Sequence, residues 1–152
     1  MTQQTVGHSA GSVPDLEFRI EMEREIAAPI QTVFESLLVQ LGPEACTPDG
    51  TKLNMTLEPY PGGRWYRDLG DDQGHLWGHV QSIKKHTLLE ITGPLFMSRA
   101  CANNVIYRLA EADGKTTLRM VHSGLGVVTS DHLAAMEEGW KDQIDRVEKR
   151  CG

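Results

Sequence analysis

The sequence predicts an α+β fold, in which a curved, seven-stranded antiparallel sheet carries a long C-terminal helix and a short helical segment after the first strand. Two patterns lead to this prediction. Apolar and polar residues alternate near the start of the chain and repeatedly between residues 53 and 123, whereas the C-terminal segment has a helical period. The central strands follow one another without intervening helices, which excludes a parallel sheet in practice.

The first elements are a strand and a helix. Residues 1–14 are small and polar and are expected to form a disordered leader, so a single domain is expected over residues 15–152. Residues 16–23 alternate apolar and charged side chains and predict a strand with one buried face. Pro29 suits the first turn of a helix, whose apolar face continues to Leu41 before Gly42-Pro43 ends it.

Six further strands are expected after a loop or short helical turn over residues 43–52. Tight-turn residues separate them, and Asp113-Gly114 in particular predicts a hairpin. The expected strands cover residues 53–58, 64–69, 75–85, 88–92, 100–111 and 116–123.

The last element is an amphipathic helix. Thr129, Ser130 and Asp131 are candidate N-caps. A narrow apolar stripe then recurs every three or four residues, which favours a helix that lies on the sheet. The stripe consists of Leu133, Met136, Trp140, Ile144 and Val147.

Composition limits the classes of partner. The 152 residues include 21 acidic and 15 basic side chains, giving a formal charge of −6, which argues against nucleic acid or an anionic membrane as the main partner. Cys46, Cys101 and Cys151 form no paired motif, and no signal peptide or membrane-length apolar run is present, so a soluble cytoplasmic protein is expected. The choice between monomer and homodimer stays open.

Four motifs occur in order along the chain. They are Glu25–Pro29 with Val33-Phe34, Pro61–Trp65, Gly78–Val80, and His122–Gly124 followed by Glu138–Trp140. Together they resemble the START-like or SRPBCC superfamily and, within it, the family named for the activator of the ninety-kilodalton heat-shock protein's ATPase. They span residues 16–150, and the resemblance implies a helix-grip fold. One departure is that residues 42–55 lack the tryptophans found there in many relatives.

Two polar residues are expected on the inner face of the sheet. His122 shares a strand face with Leu118 and Met120, and it is either a buried histidine bonded to a backbone carbonyl or a ligand donor or general acid/base. Arg67 shares a face with Trp65, and it either reaches the rim or an internal partner or meets an anionic ligand. His122 and Ser123 point to opposite faces, which disfavours a nucleophile–base pair.

The leading functional hypothesis is binding of a small hydrophobic ligand in an apolar pocket between the sheet and the C-terminal helix. A cyclase- or hydrolase-like enzyme using the pocket histidine and arginine, and a chaperone ATPase cofactor or other protein-interaction module, are the alternatives. No cofactor is expected, and no metal, since a strand separates His75 and His79 by roughly 13 Å. The candidate ligand-binding residues are Trp65, Arg67, Trp77, Met97, Tyr107, Met120, His122, Met136 and Trp140.

Overall fold

The computed structural model describes residues 16–152 and has the predicted α+β architecture. The expected leader over residues 1–14 lies outside the described residues. The elements in chain order are β1 (Glu17–Ile26), α1 (Ile30–Leu41), β2 (Met55–Leu57), β3 (Arg64–Gly70), β4 (Gln73–Lys84), β5 (Leu88–Gly93), β6 (Cys101–Ala112), β7 (Lys115–Gly126) and α2 (Ser130–Cys151).

The seven strands form one antiparallel sheet in the order β1-β7-β6-β5-β4-β3-β2. The strands from β2 to β7 make a meander, and β1 pairs along the outer edge of β7. Register shifts between Trp65 and Tyr66 and between Val80 and Ser82 bend the sheet, because a bulge adds local twist. The predicted inner face of β7 is confirmed, since Leu118, Met120 and His122 are fully buried.

The connection from α1 to β2 is a small hairpin. α1 begins directly after Pro29 and ends where the Gly42 N–H donates to the Leu38 carbonyl. The following segment folds back on itself through a bridge between Cys46 and Lys52. β2 is shorter than the predicted strand over residues 53–58, because the Leu53 N–H bonds back to the Ala45 carbonyl of this hairpin and Asn54 has a positive φ of 54°.

α2 lies on the hollow side of the sheet, as its apolar stripe predicts. The His132 N–H donates to the hydroxyl of Thr129, which caps the first turn. Met136, Trp140, Ile144 and Val147 are buried, and burial stabilises the fold by about 1.5–3 kcal/mol for each apolar side chain of this size. None of the helices within residues 16–152 is long and apolar enough to cross a bilayer.

Candidate functional site

A cavity of about 330 Å³ lies between the N-terminal half of α2 and the concave side of the sheet. The hairpin after α1 closes one side of it, and the loop after β5 closes another. Aromatic and aliphatic side chains make up most of the wall. The lining residues are Gln40, Ala45, Cys46, Thr47, Pro48, Leu53, Trp65, Trp77, Phe96, His132, Ala135, Met136, Gly139, Trp140 and Gln143.

Four aromatic rings from four separate elements form a continuous chain around the cavity. The ring centroids of Trp65 and Trp77 are 5.0 Å apart, and those of Trp77 and Phe96 are 5.7 Å apart. Phe96 then meets Trp140 of α2 at 6.2 Å. The first two contacts are edge-to-face and the third is tilted, and aromatic pairs of this kind add about 0.5–1.5 kcal/mol each to the burial of the rings.

The three indole N–H groups of this wall are all bonded to the protein. The Trp65 N–H donates to the carbonyl of Leu41 at 2.8 Å, and the Trp77 N–H donates to Nδ1 of His75 at 3.1 Å. The Trp140 N–H donates to Nδ1 of His122 at 3.0 Å. Because these donors are used, the tryptophans present mainly apolar ring surface to the cavity.

Gly139 supplies space in the wall from the middle of α2. A Cβ added at this position would have no neighbouring heavy atom within 4 Å. Glycine in a helix interior costs about 1 kcal/mol relative to alanine, so helix stability does not explain its presence. The missing side chain leaves room beside Met136 and Trp140.

Two polar groups offer hydrogen bonds to an occupant of the cavity. Gln143 accepts a bond from the Tyr107 hydroxyl at 2.6 Å through Oε1, and its amide N–H₂ group bonds to no group within residues 16–152. His132 Nδ1 is buried and has no hydrogen-bond partner among residues 16–152. Both side chains belong to the cavity wall.

His122 lies beneath Trp140 in a buried polar network. Its Nδ1 accepts from the indole, so the ring proton belongs on Nε2, which donates to Asn103 Oδ1 at 2.8 Å. The Asn103 amide nitrogen donates to the carbonyls of Gly93 and Pro94, which fixes the orientation of the amide. The network therefore joins α2 to β7, β6 and the end of β5.

The environment of His122 favours a neutral imidazole. Burial lowers the pKa of His122 to about 4, because desolvation penalises the charged form. Protonation would also place a second donor opposite the Trp140 N–H. The sequence left open a bond to a backbone carbonyl, and the structure instead gives this histidine two side-chain partners.

The structure separates the predicted pocket residues into three groups. Trp65, Trp77, Met136 and Trp140 line the cavity. Tyr107, Met120 and His122 are fully buried below its wall, and Met97 is 2% exposed in the loop after β5. Arg67 lies opposite the buried Met55 in the sheet but borders a surface cleft at the β3–β4 turn.

Sequence reasoning missed several wall residues. His132, Gly139 and Gln143 lie at helical spacing from Met136, on one flank of the apolar stripe, so the period of α2 carried a signal for them. The hairpin over residues 45–48 and Phe96 carried none, because they lie in connections without periodicity.

Metal-ligating side chains do not converge in the described part of the chain. No group of three or more His, Cys, Asp or Glu residues within residues 16–152 has a geometry that could hold a metal ion. The chemistry available at the cavity is apolar contact with a few hydrogen bonds.

A family model with the description "Activator of Hsp90 ATPase homolog 1-like protein" matches residues 27–152. No curated protein matches the sequence.

Solved structures share the fold at low sequence identity. A putative uncharacterized protein from Rhizobium leguminosarum is 20% identical, with a TM-score of 0.67, and the match covers 89% of this chain and 94% of that chain. CalU16 from Micromonospora echinospora is 16% identical, with a TM-score of 0.62 over 88% and 76% of the two chains. DynU16, a putative protein in the dynemicin biosynthetic locus, is 17% identical, with a TM-score of 0.59, and the match covers 86% of this chain and 46% of that chain. At these identities the similarity shows the fold alone.

Proposed function

The chain belongs to the family of activator of Hsp90 ATPase homolog 1-like proteins, and from that premise we propose that it binds a small hydrophobic molecule in the cavity beneath α2. The observation that carries the proposal is an aromatic-walled cavity of about 330 Å³. Ligand pockets measure roughly 300–1,000 Å³ and combine apolar walls with a few placed polar groups. A cavity of this size suits a ligand of one or two rings.

The contacts support a division of roles. Trp65, Trp77 and Trp140 supply ring faces, since their N–H groups bond elsewhere. Gln143 and His132 are the polar groups that would orient the ligand.

The catalytic alternative has less support. It needs His122 or Arg67 to act on a substrate, but both nitrogens of His122 bond to protein groups, and Arg67 is not part of the cavity wall. A chaperone partner is suggested by the family's name, and no contact in the described part of the chain favours it. Both alternatives stay predictions.

The first test of the proposal is native mass spectrometry of the purified protein. A co-purified small molecule, released on denaturation, is the expected result, and its mass would give the ligand class.

The second test uses phenylnaphthylamine, a neutral dye of two ring systems, and the variant Gly139→Leu. We expect the wild type to bind one dye molecule and the variant to bind at least about tenfold more weakly, because the leucine projects into the cavity. Ala134→Leu is the matched control, since it adds the same side chain at an exposed position of α2 outside the wall. Equal dye binding by all three proteins would refute the proposal.

A further inference from the structure

A second cavity, of about 310 Å³, adjoins the first at the C-terminal half of α2. Gln40 and Cys46 line both spaces, so the two cavities lie on either side of these side chains. The first cavity is walled by aromatic rings, whereas charged side chains dominate the second. We name the second space the cationic cleft, lined by Gln40, Glu44, Cys46, Gly50, Lys52, Arg146, Lys149 and Arg150.

The charge of the cationic cleft opposes that of the whole chain. Four of its side chains are basic and one is acidic, although the protein carries a formal charge of −6. Lys52 pairs with Glu44 at 3.4 Å, and Arg146 pairs with Asp142 at 2.8 Å.

Two basic residues of the cleft keep their charge unneutralised. Within residues 16–152, Lys149 and Arg150 take part in no ion pair. Arg150 instead donates to Oε1 of Gln40 at 3.1 Å, which brings its guanidinium to the side chain shared by the two cavities. A positive charge therefore stands at the boundary between the apolar space and the cleft.

We infer that the ligand is an anionic amphiphile, whose apolar part occupies the aromatic cavity and whose carboxylate, sulfonate or phosphate group reaches past Gln40 and Cys46 into the cationic cleft. This inference rests on the proposed function and deepens it by naming the ligand class. Lys149 and Arg150 are exposed, so each is expected to attract an anionic group modestly and in a way that salt screens.

A structural role for the same charges makes a different prediction. Lys149 and Arg150 lie in the last turn of α2, where basic side chains interact favourably with the helix dipole. If that were their whole role, removing the charges would lower the melting temperature without changing selectivity between charged and neutral ligands.

The test compares two dyes that share one ring system. Anilinonaphthalene sulfonate carries an anionic group, and phenylnaphthylamine lacks it. In the variant Lys149→Gln/Arg150→Gln we expect the Kd of the sulfonate to rise about fivefold to tenfold at low ionic strength, the size expected from two partly solvated charge contacts. The Kd of the neutral dye is expected to change less than about twofold, and the effect on the sulfonate should shrink in concentrated salt.

The matched control is Lys84→Gln/Arg108→Gln, which removes two exposed positive charges from the opposite face of the sheet. It should leave both dyes unaffected, and circular dichroism should show both variants folded. If Lys149→Gln/Arg150→Gln weakens neither dye, or both equally, while Gly139→Leu still weakens both, the inference is overturned and the proposed function stands. If neither dye binds the wild type, or Gly139→Leu changes neither dye, the proposed function itself fails.

Discussion

The buried network around His122 predicts that acid destabilises the protein through one imidazole. The pKa of this group is 6.5 in an unfolded chain and about 4 in the fold. Above pH 6.5 neither state binds the proton and the free energy of unfolding is unaffected by it. Below that pH the unfolded state takes up a proton that the folded state excludes, so stability falls until the pH reaches about 4. Each pH unit in this interval lowers the free energy of unfolding by about 1.4 kcal/mol, so the whole interval lowers it by about 3 kcal/mol.

The assay is urea unfolding followed by circular dichroism at about pH 7.5 and about pH 4.5, for the wild type and His122→Gln. Glutamine keeps one acceptor for the Trp140 N–H and one donor for Asn103 but does not titrate. We expect the free energy of unfolding of the wild type to fall by about 2–3 kcal/mol more than that of the variant between the two pH values. Carboxyl groups such as Glu58, whose pKa is lowered to about 2 by bonds from Arg64, titrate equally in both proteins and cancel.

The reasoning would be refuted by equal acid losses in the two proteins. A difference in stability between the wild type and His122→Gln at pH 7.5 alone does not test the reasoning, since glutamine changes packing as well as titration. His122→Asn provides a second non-titrating variant, and it should also lack the extra acid loss whatever its stability at neutral pH.

Three further outcomes follow from particular contacts. Gly139→Ala should raise the free energy of unfolding by about 0.5–1 kcal/mol in urea titrations, because alanine favours the helix and nothing lies within 4 Å of the added carbon. A destabilised variant would show that the space beside Gly139 is not open. Gly124→Ala should lower the free energy of unfolding by about 1–3 kcal/mol, because a Cβ would lie 2.0 Å from the ring of Phe18. Adding Phe18→Leu to this variant should recover part of the loss, and additive losses would contradict the reasoning. Trp140→Phe should lower the free energy of unfolding by about 1–3 kcal/mol at neutral pH, because it leaves His122 Nδ1 without its donor. An unchanged melting temperature would show that this bond is unimportant.

The fold could be predicted because most of its elements carry a local period. Alternation placed β1, β7 and their buried face, and the spacing from Met136 to Val147 placed α2 on the sheet. The short β2 was predicted too long, because its length depends on how the preceding hairpin packs and not on its own pattern.

The candidate site was only partly predictable. An inward position on a strand shows that a side chain is buried, but not whether it borders a space or fills one. Tyr107 and Met120 point inward as expected and are fully packed, whereas Trp65 and Trp77 border the cavity. The difference depends on where α2 and two aperiodic connections lie, which is tertiary information. Cellular location and the choice between monomer and homodimer stay predictions.

The aromatic wall also gives the protein an intrinsic optical reporter. The sequence contains three tryptophans, and all three line the same cavity. Because the rings of Trp65 and Trp77 are packed 5.0 Å apart at an interplanar angle of 81°, we expect them to contribute a signal to the near-ultraviolet circular dichroism of the folded protein. Tryptophan emission from this chain therefore reports on a single location, and a titration with an unlabelled compound can be followed without attaching any dye.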